Sequence, residues 1–423
     1  MNTKISYSKR LLDDVIKRKL ASSGAVFIQG PRAVGKTTTA LHHAKSAVRL
    51  DESEQTLRMA ALDSKALLHG PAPRMIDEWQ LAPNIWNTVR HEIDARGEPG
   101  QFILTGSAAP AEDKTRHSGA GRVARVVLRT MSLAESGESI EAVPFRALFD
   151  PSVEISGFGG PAVSDYADFI VRGGWPALVR RPVLAAREAL LDYVENLASV
   201  DLRTLESPPD PPRMMALLRA LARNTATETP VEALAREAEI DDAGVSGKTA
   251  RKYLDQLARV FILDELPAWR PHIRSGIRAR VKPKWHFTDP SIAAAVLRVT
   301  PQGLLGDLNT MGFFFESLCV RDLRAHADIA GATVSHYRDS TGLEVDAVLE
   351  RYDGKWAAIE IKLGGDAAID SAAANFVKLR ARLTPSKLAG LASMNVLTAG
   401  RHSYRRGDGV NVIALGHLGA VRE

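Results

Sequence analysis

Residues 30–37, Gly30-Pro31-Arg32-Ala33-Val34-Gly35-Lys36-Thr37, satisfy the pattern G-x-x-x-x-G-K-[ST] at every fixed position. The pattern constrains a fold tightly, because it works only where a strand hands the chain to a helix. Both flanks meet that demand. Ala25-Val26-Phe27-Ile28 is a short apolar run suited to a buried strand, and Thr38-Thr39-Ala40-Leu41 continues as a helix. In that setting the loop's backbone N–H groups curl around phosphate oxygens, and the helix N-terminus adds partial positive charge. Lys36 is expected to reach the β- and γ-phosphates of a nucleotide and the Thr37 hydroxyl to ligate Mg²⁺. Residues 30–38 together, Thr38 included, form the expected nucleotide-binding stretch. The same pattern also occurs as a mere glycine-bearing turn; the strand before it and the helix after it argue otherwise.

Two later stretches supply what a hydrolysis site needs besides the loop. Arg74-Met75-Ile76-Asp77-Glu78-Trp79-Gln80 reads as a short apolar strand ending in adjacent carboxylates. Asp77 is expected to hold Mg²⁺ through water, and Glu78 to orient and polarise the attacking water. An Asp-Glu pair at a strand end is also common as solvated surface. Its place after a phosphate loop favours the chemical role. Gln101-Phe102-Ile103-Leu104-Thr105-Gly106-Ser107 reads as another buried strand, ending in hydroxyls. Arg122, Arg125 and Arg129 follow in one segment. An arginine supplied by a neighbouring subunit could neutralise charge in phosphoryl transfer, although surface arginines need no such role. With a helix over residues 11–20, a strand over 47–50 and a polar helix over 53–68, strands alternate with helices. That order predicts a parallel, doubly wound sheet with the loop at the carboxyl ends of its strands.

The ordered set 30–37, 75–80 and 104–107, followed by Arg129-Thr130-Met131-Ser132-Leu133-Ala134-Glu135-Ser136-Gly137-Glu138-Ser139, resembles a prokaryotic AAA-type (AAA_14-like) P-loop ATPase family. Members of that family carry a C-terminal domain of unknown function, DUF4143. Arg172-Gly173-Gly174-Trp175-Pro176 and Tyr337-Arg338-Asp339-Ser340-Thr341-Gly342-Leu343-Glu344-Val345-Asp346 resemble the same family, so the likeness covers nearly the whole chain. It implies an ATP-binding protein. It also implies that the strand beside the Asp-Glu strand ends in a residue sensing the γ-phosphate, a place open to Thr105 or Ser107. The class often completes its site between subunits, so a homo-oligomer is implied, with Arg122 or Arg125 as the arginine finger.

Beyond an ATPase core at 1–145, residues 146–206 read as a helical connector or lid, with helices over 166–171 and 183–205 and a break at 157–161. Ser207-Pro208-Pro209-Asp210-Pro211-Pro212 reads as a stiff linker. Residues 213–298 follow the order of a winged helix. Helices are expected over 213–224, over 230–239 with Thr229 as its cap, and over 246–259 capped by Ser246; strands over 261–266 and 284–288 come next. The connection between those strands holds Arg270, Arg274, Arg278, Arg280, Lys282 and Lys284 and no acidic residue, so duplex DNA is one expected partner. Winged helices on ATPases equally serve as lids or protein-contact modules.

In residues 299–423 a helix over 309–325 carries Glu316, a strand over 343–349 carries Asp346, and Ala357-Ala358-Ile359-Glu360-Ile361-Lys362 places Glu360 and Lys362 on one face. This D…E-x-K hairpin is similar to the restriction-endonuclease-like, PD-(D/E)XK, nuclease core. The resemblance implies Mg²⁺ on Asp346 and Glu360, help from Glu316, and Lys362 steadying the attacking water. The Pro that usually precedes the Asp is replaced by Val345.

A chain of 423 residues suggests two or three domains, and a net charge of +5 over that length permits nucleic-acid contact without demanding it. One cysteine, Cys319, excludes an internal disulfide framework. The N-terminus lacks an apolar signal core and no apolar stretch spans a bilayer, so a cytoplasmic protein with no membrane partner is expected. The chain is therefore read as an α/β ATPase that binds Mg-ATP and hydrolyses it, coupled to DNA or a protein. The alternatives are an ATP-regulated, Mg²⁺-dependent DNA nuclease and a nucleotide-switched adaptor with little turnover.

Overall fold

The computed structural model describes residues 7–106, 119–199, 202, 208–239, 244–270 and 281–420. The chain divides into two units, residues 1–129 with 259–261, and residues 130–258 with 262–423.

Five strands organise the first unit: β1 (Ala25–Gln29), β2 (Ser46–Arg49), β3 (Arg74–Asp77), β4 (Phe102–Gly106) and β5 (Val123–Val127). All pair in parallel, in the order β2-β3-β4-β1-β5. Every residue of β4, and all but the last of β1, is buried, as expected for strands of a parallel sheet with both faces covered. The register sets Gln29 beside Gly106 and Val127, and Ile76 beside Leu104. The chain therefore leaves β1, β3 and β4 at one carboxyl edge. Phe27, Trp79 and Trp86 pack behind that edge, with ring centroids 4.9–6.1 Å apart.

Some expected boundaries move. The polar helix stops at Leu62, because Asp63 leaves helical geometry and its carboxylate accepts the Lys65 and Ala66 N–H groups. β3 ends at Asp77, since Glu78 takes a left-handed backbone with φ +52°. Helix Ile85–Arg96 and strand β5 were not anticipated; the arginines around β5 hide a half-exposed edge strand.

The second unit opens with a short helix, Leu133–Ser136, followed by β6 (Val143–Pro144), β7 (Ser156–Phe158) and a helical region: Val163–Arg172, Val183–Ser199, Pro211–Arg223, Val231–Glu239, Gly247–Arg259, Pro290–Val296 and Pro301–Gly306. Pro211 and Pro212 are not linker but the first turn of a helix, where a missing N–H is harmless. Asp210 caps it by accepting the Arg213 N–H at 3.1 Å. Ser246 caps its helix as expected, accepting the Thr249 N–H at 3.2 Å. Thr229 does not cap; its hydroxyl donates to Asn224 Oδ1. Where two paired strands were expected, isolated antiparallel bridges join Leu263 to Phe287 and Leu266 to Lys284. Pro267 and Pro283 beside these bridges remove the ladder donors a longer pairing needs.

Helix Leu308–Ala330 leads into the C-terminal strands β8 (Ala332–Arg338), β9 (Glu344–Arg351), β10 (Trp356–Lys362), β11 (Leu391–Thr398), β12 (His402–Arg405), β13 (Asn411–Ala414) and β14 (Leu418–Gly419). They form a mixed sheet in the order β7-β12-β13-β11-β10-β9-β8, while β14 pairs with β6. Residues 156–158, inside the expected connector, are thus an edge strand of this sheet. Helix Asp366–Arg382 packs Ile369, Ala372, Phe376 and Leu379 against Val348, Trp356 and Val396. Among the described residues no helix is long and apolar enough to cross a membrane.

Candidate functional site

The loop leaves β1 at Gly30, where a Cβ would run into the carbonyl oxygen of Leu128, so a larger residue would displace the turn. Gly35, at φ +92°, is the N-cap of helix Lys36–His43. Between them Pro31 and Val34 are buried, while Arg32 and Ala33 are exposed. Thr38 is exposed on the helix. The first-turn N–H groups lack helical partners and are available to an anion. Lys36 is buried beneath the loop, its ammonium donating to Gly30 O at 2.9 Å and Pro31 O at 2.8 Å. Burial lowers its pKa to about 8, against the opposing pull of Glu78 and Asp77.

Thr37 Oγ1 lies 3.0 Å from Asp77 Oδ1, joining the helix to the end of β3. Thr105 is buried at the end of β4; its hydroxyl donates to the same Asp77 oxygen and accepts the Glu78 N–H at 3.3 Å. Three of the expected residues therefore share one hydrogen-bond network. Glu78 projects from its left-handed turn, and its carboxylate accepts from Gln80 Nε2. The donor set fits a nucleotide with Mg²⁺: a hydroxyl and a carboxylate as adjacent hard oxygen donors, a buried ammonium, and a cradle with no room for a Cβ. Ser107 lies outside the described residues.

Arg122 pairs with Asp94 at 2.6 Å, and Arg125 lies over the Trp86 ring with its guanidinium carbon 6.0 Å from the centroid. Sequence reasoning missed Arg10. It is buried, donating to Val34 O at 3.0 Å and to Arg129 O at 2.7 Å, so it braces the phosphate loop directly. Asp13 beside it accepts from the Arg10 N–H, Tyr7 and His43. Burial would raise the Asp13 pKa, but those bonds hold it below the usual value. The signal was there only as an Arg and an Asp three apart before β1, which any helix start can show.

In the second unit the fold brings Glu316, Asp346, Glu360 and Lys362 together. Lys362 Nζ is 2.8 Å from Glu360 Oε2 and 3.2 Å from Asp346 Oδ2, which also accepts the Ile361 N–H at 2.8 Å. A residue not expected there joins them: Lys284 Nζ lies 2.6 Å from Glu316 Oε1 and 3.6 Å from Asp346 Oδ1. Lys284 had been counted among the basic connection's phosphate contacts; it is buried and faces carboxylates instead. Arg274, Arg278 and Arg280 lie outside the described residues. Burial raises the pKa of Glu316 and of Glu360 to about 7 each, opposed by Lys284 and Lys362 respectively. Each of the three carboxylates meets at least one lysine ammonium. Among the described residues no group of three or more His, Cys, Asp or Glu is placed to hold a metal.

Residues 22–137 match the family model described as an AAA domain, residues 163–303 a domain of unknown function (DUF8612), and residues 311–418 a domain of unknown function (DUF4143). Uncharacterised proteins of Mycobacterium tuberculosis and Mycobacterium bovis are each 26% identical over 406 residues, covering 93% of this chain and 81% of theirs. Among solved structures, the Walker-type ATPase paby2304 of Pyrococcus abyssi aligns at 14% identity over 70% of this chain and 97% of that one, with a TM-score of 0.44.

Proposed function

With an AAA domain at its N-terminus and a DUF4143 domain at its C-terminus, the chain is one that we propose binds Mg-ATP and hydrolyses it to ADP and phosphate. The observation that carries this is the meeting of Thr37 with Asp77 at 3.0 Å, at the sheet edge where the loop and Lys36 also lie. The loop N–H groups and Lys36 hold the phosphates. Thr37 and Asp77 are the residues that would hold Mg²⁺, which when bound would neutralise charge on the phosphates. Thr105 keeps Asp77 in place from β4. Glu78, the next residue, takes the proton of the attacking water, oriented by its contact with Gln80.

The nucleotide state is expected to act on a partner. Duplex DNA is the first to test, because Arg270 and Lys282 stand exposed at the two ends of the basic connection. Phosphate release measured with and without DNA tests hydrolysis and coupling together. No release above that of a Lys36→Ala variant, in either condition, contradicts the proposal.

A further inference from the structure

The C-terminal carboxylate site already holds a cation. Lys284 Nζ sits between Glu316 and Asp346, and its side chain is only 7% exposed. Lys362 does the same between Asp346 and Glu360. Three carboxylates therefore face two ammonium groups, and each acid has at least one cation as a partner. A positive charge within a few ångströms of an oxygen ligand opposes a divalent ion, and here both ammonium groups meet the carboxylates directly.

Nor is Lys284 a side chain caught in passing. Its own N–H and carbonyl pair with Leu266, at 3.0 and 2.9 Å. On one side the Trp285 indole N–H donates to Thr229 O at 2.6 Å, and on the other His336 Nε2 donates to Lys282 O at 2.9 Å. The backbone is thus held before and after the lysine.

We propose that Lys284 is the resident cation of this site: its ammonium takes the place between Glu316 and Asp346 that a divalent ion would need, and so excludes one. The site is a charge joint that ties the end of the basic connection to helix Leu308–Ala330 and to strands β9 and β10. Taking the ammonium away leaves Glu316 and Asp346 as neighbouring acids without that partner, and converts the joint into a divalent-cation site.

The test is Mn²⁺ binding to the full, nucleotide-free chain, followed by calorimetry or by the electron paramagnetic resonance of free Mn²⁺. Wild type and Asp346→Asn should bind Mn²⁺ alike, because the site takes none. Lys284→Met, which keeps the stem, and Lys284→Gln should gain about one Mn²⁺ per chain, tighter than any wild-type binding by roughly tenfold or more. Adding Asp346→Asn to either variant should remove the gain. Circular dichroism establishes that the variants are folded. Wild-type Mn²⁺ binding that is lost in Asp346→Asn overturns the proposal, as do folded Lys284 variants that bind no more Mn²⁺ than wild type. If neither Lys284 variant folds, the comparison of wild type with Asp346→Asn decides alone: equal binding supports the proposal and a loss overturns it.

Discussion

Thr37 Oγ1 lies 3.0 Å from Asp77 Oδ1, although 40 residues separate them in the chain. The contact exists because β1 and β3 flank β4 in a parallel sheet, so the turns that leave them open onto the same edge. A hydroxyl from a helix and a carboxylate from a strand thereby become neighbours under the loop that holds Lys36. Each prediction for the nucleotide site starts from this edge.

Lys36 is buried, and its ammonium donates to the loop carbonyls of Gly30 and Pro31. Replacing it with Ala removes the charge-assisted bonds to the phosphates. ATP affinity should fall by about 10- to 100-fold, the range for losing a hydrogen bond to a charged group. Equilibrium dialysis or fluorescent-nucleotide titration measures it; unchanged affinity would mean that the phosphates bind elsewhere.

Gln80 donates to the Glu78 carboxylate within one tight turn. Gln80→Ala should lower kcat about 10- to 100-fold by loosening the orientation of Glu78, while ATP affinity stays as in wild type. A drop confined to KM, or no drop, removes the orienting role.

Trp79 is fully buried against Phe27 and Trp86 and directly follows Glu78. Trp79→Ala should destabilise the protein by about 3–5 kcal/mol, as large core truncations do. Chemical denaturation checks this, and a loss under 1 kcal/mol, on the scale of a surface change, contradicts it.

How much of this was legible in the sequence differs from residue to residue. The loop and the pair Asp77-Glu78 were readable because phosphate and Mg²⁺ chemistry dictates residue type position by position. Lys284 was not: between Pro283 and Trp285 it looks like one more cation of a basic stripe, and only the fold turns it towards Glu316, 32 residues later. Arg10 was hidden for the same reason, since its partners are backbone carbonyls that no side-chain pattern records. Pro211 and Pro212 were misread because proline both breaks a helix and opens one, and position relative to the Asp210 cap decides which.

The Glu316 carboxyl supplies a pH prediction. Burial raises its pKa from 4.5 to about 7 against the pull of Lys284, with Asp346 adding to the rise and Lys362 opposing it. Between those values the folded protein holds a proton that the unfolded chain has released. This contribution is fully present below the unfolded value and is lost as pH rises through 7. Relative to Glu316→Gln, which cannot ionise, wild type should lose about 1–3 kcal/mol of stability between pH 5 and pH 8. Denaturation midpoints of both proteins across that range measure it; parallel curves would remove the assignment.

Glu78→Gln tests the account most directly, since it keeps the shape of the residue proposed to take the proton and removes its basicity. ATP affinity and phosphate release should be measured together on wild type and the variant. The account predicts unchanged ATP binding with release slowed by about 10²- to 10⁴-fold. Release at the wild-type rate by a variant that still binds ATP would contradict it.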